Sequence, residues 1–237
     1  MGAVNQLHRF YVPFDAESFI AQHKDCPQDT VLLNRLWKLV QPAVYWREEP
    51  IASNDGAVLV LGNDALRITS CYVCKGLASC SRATIMVLTI GEGLPAFAAQ
   101  AAADGRLYES AVADYLGSHA VELFADAFCR YLQQQAAPKG LYATLRYSPG
   151  YGDWTLLEQP AVFAFLNDCQ QKVRLSENCL MEPVKSISAI VGWSSVWQQP
   201  EYPKGEHNSF CNGGHNCAAC VTWACRKGIR NSNTDVK

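Results

Sequence analysis

Residues 146–154 read RYSPGYGDW, and after a short interval residues 173–193 read VRLSENCLMEPVKSISAIVGW. Pro149 and Gly150 predict a tight turn, and a glycine there lets the backbone approach a ligand closely. Arg146 offers a planar fork of N–H donors that suits a carboxylate. Tyr151 offers a ring for stacking and a hydroxyl for hydrogen bonding. The stretch therefore predicts a turn that holds an amino-acid carboxylate beside an aromatic base, although the same residues also fit a plain turn.

Hydrophobic patterns on both sides of this turn predict a mixture of strands and helices. Apolar runs bounded by turn residues predict strands at residues 56–61, 83–90, 141–152 and 185–192. Apolar residues spaced by three and four predict helices from about Leu32 to Val40 and from about Tyr108 to Gln135. The pair Thr155 and Glu158 matches a capping box for a further helix that runs to about Gln170.

One face of the long predicted helix carries polar residues. His119, Glu122 and Asp126 follow one another by three and four residues, so they share a face beside the apolar one. Such a stripe fits either a solvated acidic surface or a set of carboxylates that meets a cationic group.

Three blocks that follow one another along the sequence resemble the activation domain of cobalamin-dependent methionine synthase. The chain looks like a free-standing relative of that domain. Arg146, Gly150 and Tyr151 match the Arg-x-x-x-Gly-Tyr motif with which that family binds S-adenosylmethionine. Residues 119–132, HAVELFADAFCRYL, look like the acidic helix that precedes the motif. The third block combines a Leu-Ser-Glu run, a Met-x-Pro and a Ser-x-Ser strand, at residues 175–177, 181–183 and 186–188.

This resemblance implies an α+β domain with a twisted, mainly antiparallel sheet, flanking helices and a shallow ligand site. By the same resemblance, Arg146, Ser148, Gly150 and Tyr151 would contact S-adenosylmethionine. Either Glu122 or Asp126 would meet the amino group of the ligand. After Gly-Tyr, methionine synthase continues with Pro-Ala-Cys-Pro, whereas here residues 152–154 are Gly-Asp-Trp. That difference leaves the surroundings of the adenine and the identity of the partner open.

A cysteine-rich segment ends the sequence and predicts a metal site. Cys211, Cys217, Cys220 and Cys225 place four thiols within a glycine-rich stretch, and four thiolates suit tetrahedral zinc or an iron–sulfur cluster. We favour iron–sulfur, with zinc as the alternative, because zinc has no redox chemistry. We therefore predict two parts, a ligand-binding domain over residues 1–197 and a metal-binding appendage over residues 198–237.

A second group of cysteines precedes the predicted strand at residues 83–90. Cys71, Cys74 and Cys80 fall within or beside a short predicted helix at residues 70–80. The pair Cys71 and Cys74 fits a ligand or redox pair, and all three also fit small buried apolar side chains.

Composition limits the class of protein. The chain has 237 residues, a formal net charge of −2 and 11 cysteines. The charge gives no basis for nucleic-acid binding. No apolar run is long enough for a membrane span. With no export signal in the first residues and many thiols that would stay reduced, we expect a cytoplasmic protein.

The resemblance implies a protein that supports reductive methylation of cobalamin in a corrinoid-carrying partner or methionine synthase. An electron donor would be needed as well. The cobalt would be the nucleophile in methyl transfer, so we assign no catalytic residue to this chain. Two alternatives stay open: an iron–sulfur electron-delivery protein without methyl transfer of its own, and a zinc-bearing interaction protein.

Overall fold

A seven-stranded antiparallel sheet forms the centre of the molecule in a computed structural model that describes residues 3–8, 10–22 and 28–197. Its strand order is β4-β3-β2-β5-β9-β6, and β1 adds to β2. A separate pair, β7 and β8, forms a small ribbon. The strands are β1 (Asn5–His8), β2 (Ala43–Asn54), β3 (Val58–Leu61), β4 (Leu66–Thr69), β5 (Arg82–Thr89), β6 (Tyr142–Tyr147), β7 (Arg174–Leu175), β8 (Met181–Glu182) and β9 (Ser186–Ser194).

Six α-helices flank the sheet in the described ranges, and the α+β architecture expected from the sequence is confirmed. The helices are α1 (Ala16–Gln22), α2 (Thr30–Trp37), α3 (Cys71–Gly76), α4 (Gly93–Ala103), α5 (Leu107–Ala136) and α6 (Gln159–Phe165). None of them is long and apolar enough to cross a membrane. The predicted appendage at residues 198–237 lies outside the described residues.

Strand β5 lies at the centre of the sheet, and both of its faces are covered. Its residues from Ala83 to Thr89 are all buried, which explains the unbroken apolar run in the sequence. Met86 and Leu88 point to the face that α5 covers, whereas Ile85 and Val87 point to the opposite face. The sheet is therefore sandwiched between two helical layers.

The helix α5 supplies most of the core on its side of the sheet. Its apolar residues Leu116, Ala120, Phe124 and Phe128 are all buried at helical spacing. They pack with alternate residues of the central strands, including Val191 of β9. The predicted helix at residues 108–135 thus differs from the observed one by a single residue at each end.

The other layer is built from α3, α6 and the segment between β6 and α6. Val73 and Leu77 join Phe163, Leu166 and other apolar residues in a second core cluster. The helix α6 ends at Phe165, and residues 167–171 form a 3-10 helix, so the predicted continuation to about Gln170 as one α-helix is wrong.

The predicted capping box is also wrong in its details. The hydroxyl of Thr155 accepts from the backbone N–H of Leu157, at 3.3 Å, and starts a 3-10 helix. The carboxylate of Glu158 instead accepts from the backbone N–H of Thr69, at 3.1 Å, and from the indole N–H of Trp154, also at 3.1 Å. These longer-range donors draw the Glu158 side chain away from its own helix.

A glycine of β9 lets the segment that follows α3 lie directly on the sheet. A Cβ atom built at Gly192 of β9 would lie 2.6 Å from Cys80 Sγ and 2.7 Å from Leu77 Cγ. Both neighbours are buried or partly buried, so they have little room to move away.

We therefore expect Gly192→Ala to lower the free energy of unfolding by about 1–3 kcal/mol, because the added methyl group overpacks this contact. Gly117→Ala is the control, since the three atoms nearest to a Cβ there all belong to the long Lys185 side chain, at 3.2 Å or more. That control should stay within about 1 kcal/mol of the parent protein. Urea denaturation of the three proteins measures the difference, and equal stability of the two variants would contradict the close contact.

Candidate functional site

Arg146 lies on β6, which is the edge strand next to β9 in the described sheet. It pairs in register with Val191 of β9. Its side chain points to the layer formed by α5, whereas the next residue, Tyr147, is buried in the opposite layer. This placement follows from the alternation of side chains along a strand. The Arg146 side chain is 15% exposed, so the guanidinium is largely but not fully removed from water.

Two carboxylates of α5 hold the Arg146 guanidinium. Nη2 of Arg146 donates to Oε2 of Glu122, and Nη1 donates to Oδ1 of Asp126 at 3.2 Å. The spacing of four residues puts both acids on one helix face, one turn apart. The fork of the guanidinium matches that arrangement because its two terminal nitrogens diverge in one plane.

Burial and charge act against each other in this group. Burial raises the pKa of Glu122, and the neighbouring Asp126 adds to the rise while Arg146 opposes it. Burial alone would lower the pKa of Arg146, but the interactions with Glu122, with the Cys129 side chain and with Asp126 outweigh it and raise that pKa. Arg146 therefore stays a cation, and with both carboxylates ionised the three side chains carry one excess negative charge.

The turn that follows β6 is closed by its own backbone hydrogen bonds. The N–H of Gly150 donates to the carbonyl of Trp154 at 2.7 Å, and the N–H of Tyr151 donates to the carbonyl of Ser148 at 3.3 Å. Gly150 has a φ of +89°, in the region that glycine adopts without strain. Ser148, Gly150 and Tyr151 are each half-buried.

Asp153 fastens this turn to α3. One carboxylate oxygen accepts from the N–H of Cys71, at 2.8 Å, and the other accepts from the N–H of Tyr72, at 3.1 Å, and from the hydroxyl of Ser70. Burial tends to raise the pKa of Asp153, but the hydrogen bonds from Ser70, Tyr72 and Cys71 prevail and lower it. Gly152, with a φ of +61°, lies against the Tyr72 ring.

Trp154 completes the contact between the turn and the core. Its side chain is buried, and its indole N–H donates to Glu158. The Gly-Asp-Trp sequence that departs from the methionine synthase motif thus forms the support of the turn. Sequence reasoning did not find this role, because the groups that Asp153 contacts lie about eighty residues earlier in the chain.

The structure brings the candidate residues together in two groups. Arg146, Glu122 and Asp126 are in direct contact, whereas His119 of the same polar stripe is buried against the rings of Phe19 and Tyr115. The remaining candidates, Ser148, Gly150 and Tyr151, follow Arg146 on the turn. Their contacts with a ligand stay a prediction.

The cysteines that the sequence singles out lie partly outside the described residues. Cys211, Cys217, Cys220 and Cys225 lie there, so the metal site they predict stays a prediction. Within the described ranges, no three His, Cys, Asp or Glu side chains are placed to hold a metal ion. Cys71, Cys74 and Cys80 are accordingly not a metal-ligand set, and Cys74 is buried among apolar side chains.

The fold described above is similar to that of a solved reactivation domain, in agreement with the resemblance seen in the sequence. One solved structure with a similar fold is the MetH reactivation domain bound to AdoHcy, with a TM-score of 0.56 and 13% sequence identity. The likeness covers 83% of this chain and 80% of the other. No protein-family model matches the sequence. No curated protein matches it either. At this identity the likeness establishes the fold.

The contact between Asp153 and α3 gives a prediction about stability and pH. Because the pKa of Asp153 is lowered in the folded protein, its contribution is present above the ordinary value of about 3.9 and is lost as the pH falls through the folded value. We expect Asp153→Asn to be about 1 kcal/mol less stable at neutral pH, which is the usual cost of weakening a helix cap. The difference should shrink in acid.

Thermal unfolding across the range from neutral to strongly acidic pH measures this effect. Asp64→Asn is the matched control, because Asp64 is exposed and its ion pair is with the exposed Arg67. A pH-independent loss in Asp153→Asn, or an equal loss in the control, would contradict the assigned role of Asp153.

Proposed function

We propose that the chain binds S-adenosylmethionine beside Arg146 and supports reductive methylation of the cobalamin of a partner protein. The observation that carries this proposal is the Arg146 fork between Glu122 and Asp126, directly before the Gly150 turn, on a fold of the reactivation-domain type. A solved protein of that fold holds AdoHcy, the product that remains when S-adenosylmethionine gives up its methyl group.

The charges of the site suit this ligand. Arg146 uses N–H groups for the two acids and for the Cys129 thiol, and the remaining N–H groups of its guanidinium would meet the carboxylate of the amino-acid part. Asp126 is 36% exposed, so its carboxylate remains accessible to a cation. The excess negative charge of the group favours a sulfonium ion over the neutral thioether that is left after methyl loss.

In this proposal the chain positions its ligand and contributes no covalent chemistry. The methyl group of the sulfonium would pass to the cobalt of a partner's corrinoid, which a separate electron donor has reduced. The Gly150 turn approaches the ligand through its backbone, and Tyr151 offers a ring for the adenine. Orientation of this kind accounts for a rate effect without a nucleophile in the chain. The partner would be a corrinoid-carrying protein or methionine synthase.

Asp126→Asn tests the role of the excess negative charge. We expect the variant to lose about tenfold in affinity for S-adenosylmethionine, since the excess negative charge that attracts the sulfonium is removed. Its affinity for S-adenosylhomocysteine should change much less. Isothermal titration calorimetry with the two ligands measures the ratio of the two dissociation constants.

Asp114→Asn is the control for this experiment, because Asp114 lies on the same helix and pairs with Lys185 instead. It should leave both affinities unchanged. An equal loss for both ligands in Asp126→Asn would refute discrimination by charge. No binding of either ligand to the parent protein would overturn the proposed function.

The four C-terminal cysteines supply the second part of the proposal. We expect Cys211, Cys217, Cys220 and Cys225 to hold an iron–sulfur cluster, because reductive methylation needs an electron. Protein purified without oxygen should then be brown and contain iron and acid-labile sulfide. Cys217→Ala with Cys220→Ala should lose both.

The metal content also separates the alternatives. One equivalent of zinc in a colourless protein would favour a structural zinc segment. A brown protein that does not bind S-adenosylmethionine would favour an electron-delivery protein without methyl transfer of its own.

A further inference from the structure

Two cysteines of α3 are spaced so that their side chains share one face of the helix. Cys71 and Cys74 occupy the first and fourth positions of that helix, and both thiols are free. Residues three apart share a helix face with Cβ atoms about 5–6 Å apart, whereas a disulfide requires about 3.5–4.5 Å. A modest tightening of the first helical turn therefore brings the two sulfur atoms to bonding distance.

The two thiols differ in exposure. Cys71 is exposed, whereas Cys74 is buried with 1% of its surface accessible. Burial raises the pKa of Cys74, and the nearby Asp55, Cys71 and Asp153 add to the rise. An external disulfide thus meets Cys71 first, and Cys74 is protected until the sulfur of Cys71 has reacted.

We propose that Cys71 and Cys74 form a reversible disulfide that loosens the turn carrying Ser148, Gly150 and Tyr151. The disulfide itself depends only on the geometry of α3. Its effect on the ligand deepens the proposed function: S-adenosylmethionine would be held well only by the reduced protein.

The exchange reaction balances with a small disulfide as oxidant. The Cys71 thiolate attacks one sulfur of the disulfide and releases one thiol, which leaves a mixed disulfide at Cys71. The Cys74 thiolate then attacks the Cys71 sulfur and releases the second thiol. The two cysteines lose two electrons and two protons together, and the external disulfide is reduced to two thiols.

Asp153 connects this bond to the turn. Its carboxylate accepts from the N–H groups of Cys71 and Tyr72 and from the hydroxyl of Ser70. Closing the disulfide tightens the same helical turn that presents those donors, so their directions toward Asp153 change. The turn at residues 148–154 would then lose its anchor on α3, while its contact with the core through the buried Trp154 remains.

Trypsin isolates the two cysteines in one short peptide. Cleavage after Arg67 and Lys75 gives residues 68–75, ITSCYVCK, which contain Cys71 and Cys74 and no other cysteine. The next peptide, residues 76–82, contains Cys80 alone. Cys80 is half-buried, and burial raises its pKa to about 11, so it serves as an internal control for general oxidation.

The full chain is incubated with oxidised glutathione, alkylated and digested with trypsin. The masses of the two peptides are then measured by mass spectrometry. We expect the 68–75 peptide to become lighter than the dithiol form by two hydrogen atoms and to escape alkylation. Dithiothreitol should restore the alkylated form. The Cys80 peptide should stay alkylated throughout. An unoxidised 68–75 peptide, or a cross-link of Cys71 or Cys74 to any other cysteine, overturns the proposal.

Hydrogen exchange then measures the effect on the turn. We expect peptides that span residues 148–154 to exchange about tenfold faster in the oxidised protein, since the Asp153 anchor is weakened. Cys71→Ser keeps the N–H donor to Asp153 and removes the disulfide, so oxidation should leave its turn unchanged. Equal exchange in both redox states of the parent protein, or the same acceleration in Cys71→Ser, overturns the link.

Neither measurement uses S-adenosylmethionine, so this proposal and the proposed function can fail separately. If the parent protein binds the ligand, its affinity should fall about tenfold on oxidation and that of Cys71→Ser should not. An affinity that is the same in both redox states overturns the regulatory role.

Discussion

The guanidinium of Arg146, held by Glu122 and Asp126, joins the outermost strand of the described sheet to the longest helix. Burying such a charged group costs free energy. The attraction between its charges offsets that cost only when each charge is paired. Here one cation meets two anions, and the remaining imbalance stays partly open to water through Asp126. The group therefore ties β6 to α5 and leaves one of its carboxylates accessible to solvent.

The parts of the fold that are uniformly apolar could be predicted from the sequence. Strand β5 and the apolar face of α5 need no partner to be recognised, because their periodicity alone reports burial. Strand β2 was missed, since its middle reads Arg47, Glu48, Glu49 and Pro50. In the structure Arg47 binds Glu49, at 2.6 Å, and lies over the ring of Phe165, at 4.2 Å from the centroid. These charges are compatible with a buried strand only through contacts that local sequence does not display.

Some residues of the candidate site could also be predicted from the sequence, whereas others could not. The acids and the arginine could be named from a motif and a helical stripe, and the structure shows that they meet. Asp153 could not be assigned, because what it binds is the beginning of a distant helix. A serine before a short helical run, as at Ser70, was a signal for a helix start. Nothing local indicated that an aspartate from another part of the chain would share that start.

The helix α5 carries core residues and the two acids that bind Arg146 in alternation, with Phe124 between Glu122 and Asp126 and Phe128 one further step along. Because the helix is rigid, it cannot rotate its core-facing side without also rotating the side that carries the two acids. Any substitution that lets Phe124 settle deeper would turn both acids relative to Arg146 and alter what the pair can hold. The positions of the two acids therefore depend on how the core of the protein is packed. A change of ligand specificity could arise from the substitution of a core residue that contacts no ligand.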